Sequence, residues 1–433
     1  MSNKLQCNKK KILIRAAQHP LKEYAPLKST KKMGGNSGNL LYTHGIARNI
    51  STVDQALSYG GFMVHTWSDE EIKQWAHQVN KNYDCYIVPL ANIFRADAFL
   101  ILKNLTKIIA LLDIPVIVVG VGAQSTAINY NEKNYKQLPT DATQKLKTNI
   151  STQEEHNIAV LKFCRAVLDK SASMGVRGNY TKEYLTSLGI EENKIKVIGC
   201  PSLFTWGKNH KILNSNGKDY KGNSKLTESS LISMNIDHRV KLIEKLIQSN
   251  IERYCNLTSP CQDARSARMI LLKTNQFNIE KINTKLPLHV EHQLYKENKL
   301  IYYSNPWGWI NDLSKKEFVF GTRLHGNIAG ILGGTPSHLI AHDSRTLEIA
   351  EYFSIPYSNY NPNSSDHDFY AEDLACKTDY EEFNTKLPNL YDIFTDFLNE
   401  NNINTIQNQN STNLINFDQK INILKNIGAS HPF

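Results

Sequence analysis

The sequence predicts an α/β protein of two domains, each with a mostly parallel sheet, the two sheets facing a central cleft. Three observations carry this reading. Short apolar runs alternate with helix-like stretches along most of the chain, as they do when strands are joined by crossover helices. Runs such as VIVVGVG, from Val116 to Gly122, are apolar on both faces, which is the pattern of buried parallel strands. A polar stretch rich in Lys, Gly, Asn and Ser, from Gly207 to Ser230, divides the alternation into two halves. At 433 residues the chain is also too long for one ordinary core.

Taken in order, the first domain (1–206) reads as strands in KKILIRA, DCYIVPL, IPVIVVGVG, SASMGVR and KIKVIG. Between them lie helical stretches such as GNLLYTHGIARNI, EEIKQWAHQVNKN, DAFLILKNLTKIIALL and NYTKEYLTSLG. Residues 207–230 are the predicted linker. The second domain (231–376) resumes with strands in LISMNID, RMILLKT, KLIYYSN, FVFGT and SHLIAHD. Helices are expected in HRVKLIEKLIQSNI, WGWINDLSKKE, GNIAGILGG and SRTLEIAEYF. The remainder, 377–433, is a helical and then Asn-rich extension. Composition leaves open whether it is a tail or packs back on the first domain.

The net charge of +9 suits anionic ligands or an acidic membrane surface. Nucleic acid is a poor fit, because the lysines are scattered through polar loops and no basic helix or aromatic platform recurs. Seven cysteines with no CxxC pair argue against a disulfide framework or a zinc knuckle and for a reducing, cytoplasmic setting. No signal-like segment precedes the first strand, and no window approaches the roughly 20 apolar residues of a membrane span. Membrane contact is therefore expected to be peripheral, at an anionic surface. The histidines follow no metal-ligand spacing, so no metal and no cofactor are expected.

Open parallel sheets bind ligands at the carboxyl ends of their strands, so the loops that follow strands carry the candidate site. In MGGNSGNLLYTHG, Gly34, Gly35 and Gly38 surround Asn36 and Asn39 just before a helix. That arrangement fits an anion approached by free N–H groups, and equally a flexible loop with an Asn cap. In VVGVGAQS, Gly122, Gln124 and Ser125 follow a buried strand, which suits a ligand loop or a close-packed turn. Arg177 in SMGVRGNY stands at a strand end before a helix, placed to clamp a carboxylate or phosphate or to pair with a nearby acid. In GTRLHGNIAGILGG, Arg323 and His325 stand between a strand and a helix of small residues. A histidine there can act as acid or base beside fixed positive charge. Arg345, two residues after Asp343, is either a further anion contact or an ion-pair partner of that acid. Trp307 and Trp309 fit a sugar-stacking platform or the core.

The order GNSGN, VGVGAQ, GVRGNYTKEYLTSLG, VIGCPSL and GTRLHGNIAGILGGTPSHLIAHDSRTLEIAEYF resembles the polysaccharide pyruvyl transferase family over most of residues 11–356. The last block is the most specific part. The resemblance implies a GT-B-like fold of two Rossmann-like domains and transfer of the enolpyruvyl unit of phosphoenolpyruvate to a saccharide or lipid-linked saccharide, without a metal. It implies that Arg177 and Arg323 bind the donor's carboxylate or phosphate and that His325 is the general acid. The sequence departs from the family pattern at Asn39 and Cys200, where members often carry acids, and in PLANIFRAD, with Asn92 and Arg95 in place of a glycine run. A GT-B glycosyltransferase with a nucleotide-sugar donor is the alternative, for which Asp343 and Glu348 offer a ribose-binding acid. A binding subunit that has lost catalysis is a third reading, set against by the presence of Arg177, Arg323 and His325 together.

Overall fold

The apolar runs fold into two parallel sheets whose strands end on a shared crease. The structure, a computed structural model, describes residues 9–124, 153–222, 225–241, 243–276, 285–360, 369–408 and 412–433. Strands β1 (Lys10–Ala16), β2 (Gln55–Gly61), β3 (Cys85–Pro89) and β4 (Val116–Val119) are parallel, in the order β2-β1-β3-β4. Beyond β4, Val121 bridges Val176 and so joins the parallel pair β5 (Met174–Val176) and β6 (Ile195–Val197) to that sheet. The register sets Ile12 and Ile14 of β1 against Cys85 and Ile87 of β3, all fully buried.

The second domain contains β7 (Ile232–Asn235), β8 (Ser259–Cys261), β9 (Leu300–Tyr303), β10 (Phe318–Gly321), β11 (Ser337–Ala341) and β12 (Tyr357–Asn359). Its main sheet is ordered β12-β11-β10-β7, all parallel. A bridge from Ser233 to Thr258 extends it towards β8 and β9, and β13 (Ala429–Ser430) closes the far edge antiparallel to β9. Among the covering helices are α1 (Gly38–Asn49), α2 (Asn179–Ser187), α3 (Ala264–Leu272), α4 (Leu324–Leu332), α5 (Ser344–Phe353) and α6 (Glu381–Glu400). This is the architecture that the alternation predicts.

Four details differ from the sequence reading or decide it. The run QALSYGG forms β2, which that reading passes over; it is an edge strand, half-exposed along most of its length, so it lacks the apolar signature of its neighbours. RMILLKT is not a strand but the end of α3. Asp263 accepts from the N–H groups of Arg265 and Ser266 at the helix start, and Ser266, Ala267, Met269 and Ile270 are buried at helical spacing. The polar stretch at 207–230 is packed rather than free: Ile212 and Tyr220 are buried, and the N–H of Ile212 donates to Asn384 at 2.9 Å. The C-terminal extension returns to the first domain. Tyr391 on α6 donates to Asn49 Oδ1 at 2.7 Å, and Phe394 stacks on Phe204 with ring centroids 4.8 Å apart.

No described helix is long and apolar enough to cross a membrane. Ser125 lies outside the described residues.

Burial of neutral histidines makes the fold acid-sensitive. His44 and His338 are buried, and burial pulls both down to about 3 from the ordinary 6.5. Below about pH 6.5 the unfolded chain gains protons that the fold refuses, so stability falls as pH falls through that window, by roughly 1.4 kcal/mol per pH unit for each residue. Glu348, pushed up to about 7 by burial, opposes them as a single group. Urea unfolding midpoints are therefore expected to fall steadily from pH 7 to pH 5, and a midpoint that rises over that range would show these histidines to be charged in the fold.

Candidate active site

The site is built around Arg177, whose position follows directly from the strand pairing. Its backbone N–H continues the β5 ladder by donating to Val121 O at 3.0 Å, and its Nε donates to Gly120 O at 2.9 Å. Gly122 makes room for the side chain: a Cβ there would lie 2.8 Å from Arg177 Cδ. The two glycines of the VGVG turn therefore seat an arginine, one by its carbonyl and the other by its lack of a side chain. Arg177 is only 1% exposed, and both terminal guanidinium nitrogens are buried with no hydrogen-bond partner. Burial, and then Arg345, disfavour its charge. A guanidinium stays protonated in proteins, so the site holds a cation that lacks a counter-ion.

His325 approaches from the second domain. The turn that carries it is locked by Asn235 at the end of β7. Asn235 Oδ1 accepts from the N–H of Arg323 at 2.9 Å, and the side chain of Asn327 donates to Gly321 O at 2.9 Å. Gly321 has φ +138°, and a Cβ there would sit 1.9 Å from Asn235 O, so only glycine permits this turn. His325, in the first turn of α4, then faces α1 of the first domain. Its Cβ would lie 2.6 Å from a Cβ at Gly38, and its ring centroid is 6.0 Å from that of Tyr42. His325 Nε2 is 3.8 Å from Cys200 Sγ, and that thiol is 2.9 Å from Ser202 Oγ. Burial, then Arg177 and Arg345, hold the imidazole well below its ordinary value, which favours its neutral form.

A polar chain crosses the crease beside it. Asn92 donates to Gln124 Oε1, and Gln124 Nε2 donates to Asp343 Oδ2 at 3.0 Å. The same carboxylate oxygen is 3.2 Å from Arg345 Nη2, and Asp343 also caps α5 through the N–H of Thr346. Arg345 is thus an ion-pair partner of Asp343, yet its Nε is buried without a partner and its charge reaches His325 and Arg177. A second crossing is fully buried: Glu348 accepts from the N–H of Thr181 at 2.7 Å and from its hydroxyl at 3.0 Å.

Arg177, Arg345 and His325 therefore share the crease, with Gly122 and Gln124 supporting them. Arg323 does not join this group. Arg323 is the extended residue that caps the start of α4, and it turns away to donate from Nε to Ile236 O at 2.6 Å, lining a small cavity with His238, Gln262 and Asp263. The expected clamp of Arg177 with Arg323 is corrected accordingly: the second cation beside His325 is Arg345.

The glycine loop also differs from the anion cradle that it suggested. Its amides nearest the helix are used within the protein, the N–H of Ser37 by Gln262 O at 2.8 Å and that of Gly38 by Asn36 Oδ1 at 2.8 Å. Asn39 closes the loop by donating to Gly34 O at 2.9 Å, while Gly35 stands exposed with φ +79°. The loop's work is to dock α1 against the second domain, where Asn36 bridges Asp263. Trp307 and Trp309 are buried in the core, and Arg95 pairs with Asp97 at 2.5 Å.

Sequence reasoning missed Tyr42 and Asn235, and it noted Cys200 only as a departure. Tyr42 stands one helical turn after Gly38, and Asn235 ends a strand, so both signals were present but weak. Among the described residues, no group of three or more His, Cys, Asp or Glu is placed to hold a metal ion.

Fold and crease define an α/β protein with two mostly parallel sheets and with Arg177, Arg345 and His325 between them. A family model described as polysaccharide pyruvyl transferase matches residues 64–344, and the chain belongs to that family of transferases. The match takes in Arg177, Cys200, Arg323 and His325, whereas the glycine loop and Arg345 lie outside it. No curated protein matches. Similar solved structures include Anabaena Alr3699/HepE in complex with UDP and glucose, at 8% identity over 96% of this chain and 98% of that one, TM-score 0.40. The UDP-GlcNAc 2-epimerase from Neisseria meningitidis bound to UDP-GlcNAc shows 12% identity over 90% and 100%, TM-score 0.43. The lipopolysaccharide outer core galactosyltransferase WaaB shows 10% identity over 96% and 99%, TM-score 0.36.

The contact between α1 and α4 has no slack. Gly38→Ala is expected to destabilise the fold by about 1–3 kcal/mol, since the new methyl must push the two helices apart. Gly60→Ala, whose Cβ would meet nothing within 4 Å, is expected to be neutral or slightly stabilising. Denaturant unfolding of the two variants checks this, and equal effects would count against the close approach.

Proposed function

We propose that the protein transfers the enolpyruvyl unit of phosphoenolpyruvate to a pair of hydroxyls on a saccharide, forming a pyruvate ketal in surface polysaccharide synthesis. The carrying observation is the buried guanidinium of Arg177, with both terminal nitrogens unpartnered beside His325 and Arg345. A site that buries positive charge without a counter-ion favours a small, highly charged anion. Phosphoenolpyruvate, with about three negative charges near neutral pH, has that character.

The chemistry then follows from the charge balance. The bound donor offsets the two arginines, so the proton affinity of His325 rises on binding and the neutral imidazole becomes imidazolium. His325 donates this proton to the methylene carbon while one acceptor hydroxyl attacks the adjacent carbon. Phosphate leaves with the electrons of the C–O bond, and the second hydroxyl closes the ketal. Of the two hydroxyl protons released, one restores the proton that His325 gave to the new methyl group and the other leaves with phosphate. Arg177 and Arg345 stabilise the carboxylate and the departing phosphate throughout.

A nucleotide-sugar donor would need a carboxylate free for the ribose. The two that the sequence offered are engaged, Asp343 with Gln124 and the cap of α5, Glu348 with Thr181.

His325→Ala is expected to lose at least about a hundredfold in turnover with the fold intact; near-normal turnover would remove its role. Arg177→Met keeps the stem and removes the buried charge. The unliganded variant is expected to melt at or above the wild type, yet to lose the stabilisation that phosphoenolpyruvate gives the wild type, roughly 2.7 kcal/mol at a hundredfold excess over Kd. Stabilisation of the wild type by a nucleotide sugar, and none by phosphoenolpyruvate, would replace the donor with the alternative. Calorimetry in buffers of different ionisation enthalpy is expected to show net proton uptake on donor binding near pH 7.5, absent in His325→Ala. Equal uptake by both proteins would place the proton elsewhere.

A further inference from the structure

An open cleft of about 360 Å³ lies outside the carboxyl ends of β1 and β2. It is separate from the Arg177 and His325 crease, and its lining includes Lys22, Lys31 and Lys32 together with Tyr24, Tyr59 and Trp67. We propose that this cleft holds a phosphate-bearing saccharide, with the phosphate on Lys22, Lys31 and Lys32 and a sugar ring against Tyr59 and Trp67. That this saccharide is the acceptor rests on the transferase reading above; that it binds here does not.

The charge pattern selects the anion. No carboxylate lines the cleft, and none of the three lysines is ion-paired with a carboxylate among the described residues. Lys32 instead lies over the Tyr24 ring, 5.8 Å from its centroid. Three ammonium groups are point charges suited to a doubly charged phosphate, whereas a single carboxylate is better matched by the planar fork of an arginine. His19, beside the cleft, is lowered to about 4 by burial and then by the charges of Lys22 and Lys420, which is the local field that an anion would meet.

The aromatic side chains supply the rest. Tyr59 packs on His19 with ring centroids 4.5 Å apart, which holds its ring still, and Trp67 is 42% exposed. Rigid aromatic faces of this kind accept the apolar face of a pyranose at little entropic cost.

One loop connects cleft and crease. Lys31 and Lys32 begin it and line the cleft. Gly34 lies against the Phe62 ring, also in the cleft lining, with a notional Cβ 2.5 Å from the ring. Gly38, at the other end, abuts His325. A saccharide anchored by its phosphate on the lysines is thus one short loop away from the general acid, with its phosphate kept clear of the donor's charge.

The test is to titrate the full-length protein by calorimetry with galactose 1-phosphate, galactose, galacturonate and inorganic phosphate. The wild type is compared with the Lys22→Ala/Lys31→Ala/Lys32→Ala variant and with Trp67→Ala. The three lysines are at least partly exposed, so the triple variant is expected to fold. The wild type should bind galactose 1-phosphate at least tenfold more tightly than the other three, and the triple variant should lose at least tenfold of that affinity while keeping its thermal stabilisation by phosphoenolpyruvate. Trp67→Ala should weaken galactose 1-phosphate and leave inorganic phosphate unchanged. Equal binding of galactose 1-phosphate by the wild type and the triple variant would overturn the site. Galacturonate binding as well as the sugar phosphate would overturn the choice of anion, and inorganic phosphate doing so would overturn the saccharide. If galactose 1-phosphate binds in a lysine-dependent way while phosphoenolpyruvate fails to stabilise the wild type, the cleft stands and the donor reading falls.

Discussion

A buried arginine whose terminal nitrogens have no partner sets the terms for the rest of this molecule. Two unpaired guanidinium nitrogens inside a protein are costly, and the surroundings of Arg177 are arranged to keep them that way. Gly120 ties down Nε, Gly122 yields the space for the stem, and no acid closes the circuit. Glu348 is near enough for its charge to be felt, yet its oxygens accept from Thr181 instead.

The same cation adds to what burial does to His325: burial first, and then the charges of Arg177 and Arg345, disfavour its imidazolium form. The neighbour of its Nε2 is the Cys200 thiol rather than a carboxylate.

The two domains share an apolar core, in which Phe204 of the first meets Phe353 of the second with ring centroids 5.3 Å apart, and polar contacts add to it at the crease. Gln124 to Asp343 and Thr181 to Glu348 cross it directly, and the glycine loop docks on Gln262 and Asp263. Behind them α6 returns to the first domain and buries Phe394 and Phe397. The polar stretch after Trp206 packs on the start of that helix, so what composition marks as a linker is a buckle.

The sequence by itself determined the class of fold and the strand-end positions of Arg177, Gly122, Gln124, His325 and Arg345, because buried parallel strands leave a continuous apolar signal. It missed β2, an edge strand with half its surface wet, and it misread α3, because four apolar residues in a row look alike in helix and strand until Asp263 is seen to cap the helix. Local pattern also could not say which side chains meet. Arg323 and His325 are neighbours in sequence, but Arg323 turns to Ile236 while His325 faces the first domain, and Arg345, twenty residues further on, is the cation whose charge reaches the histidine. The glycine loop read as a cradle because free amides are assumed wherever a helix starts; only the packing of the second domain against it showed Ser37 already bonded there. Pairing across a crease depends on the relative placement of elements far apart in the chain, and that information exists only once the sheets have packed.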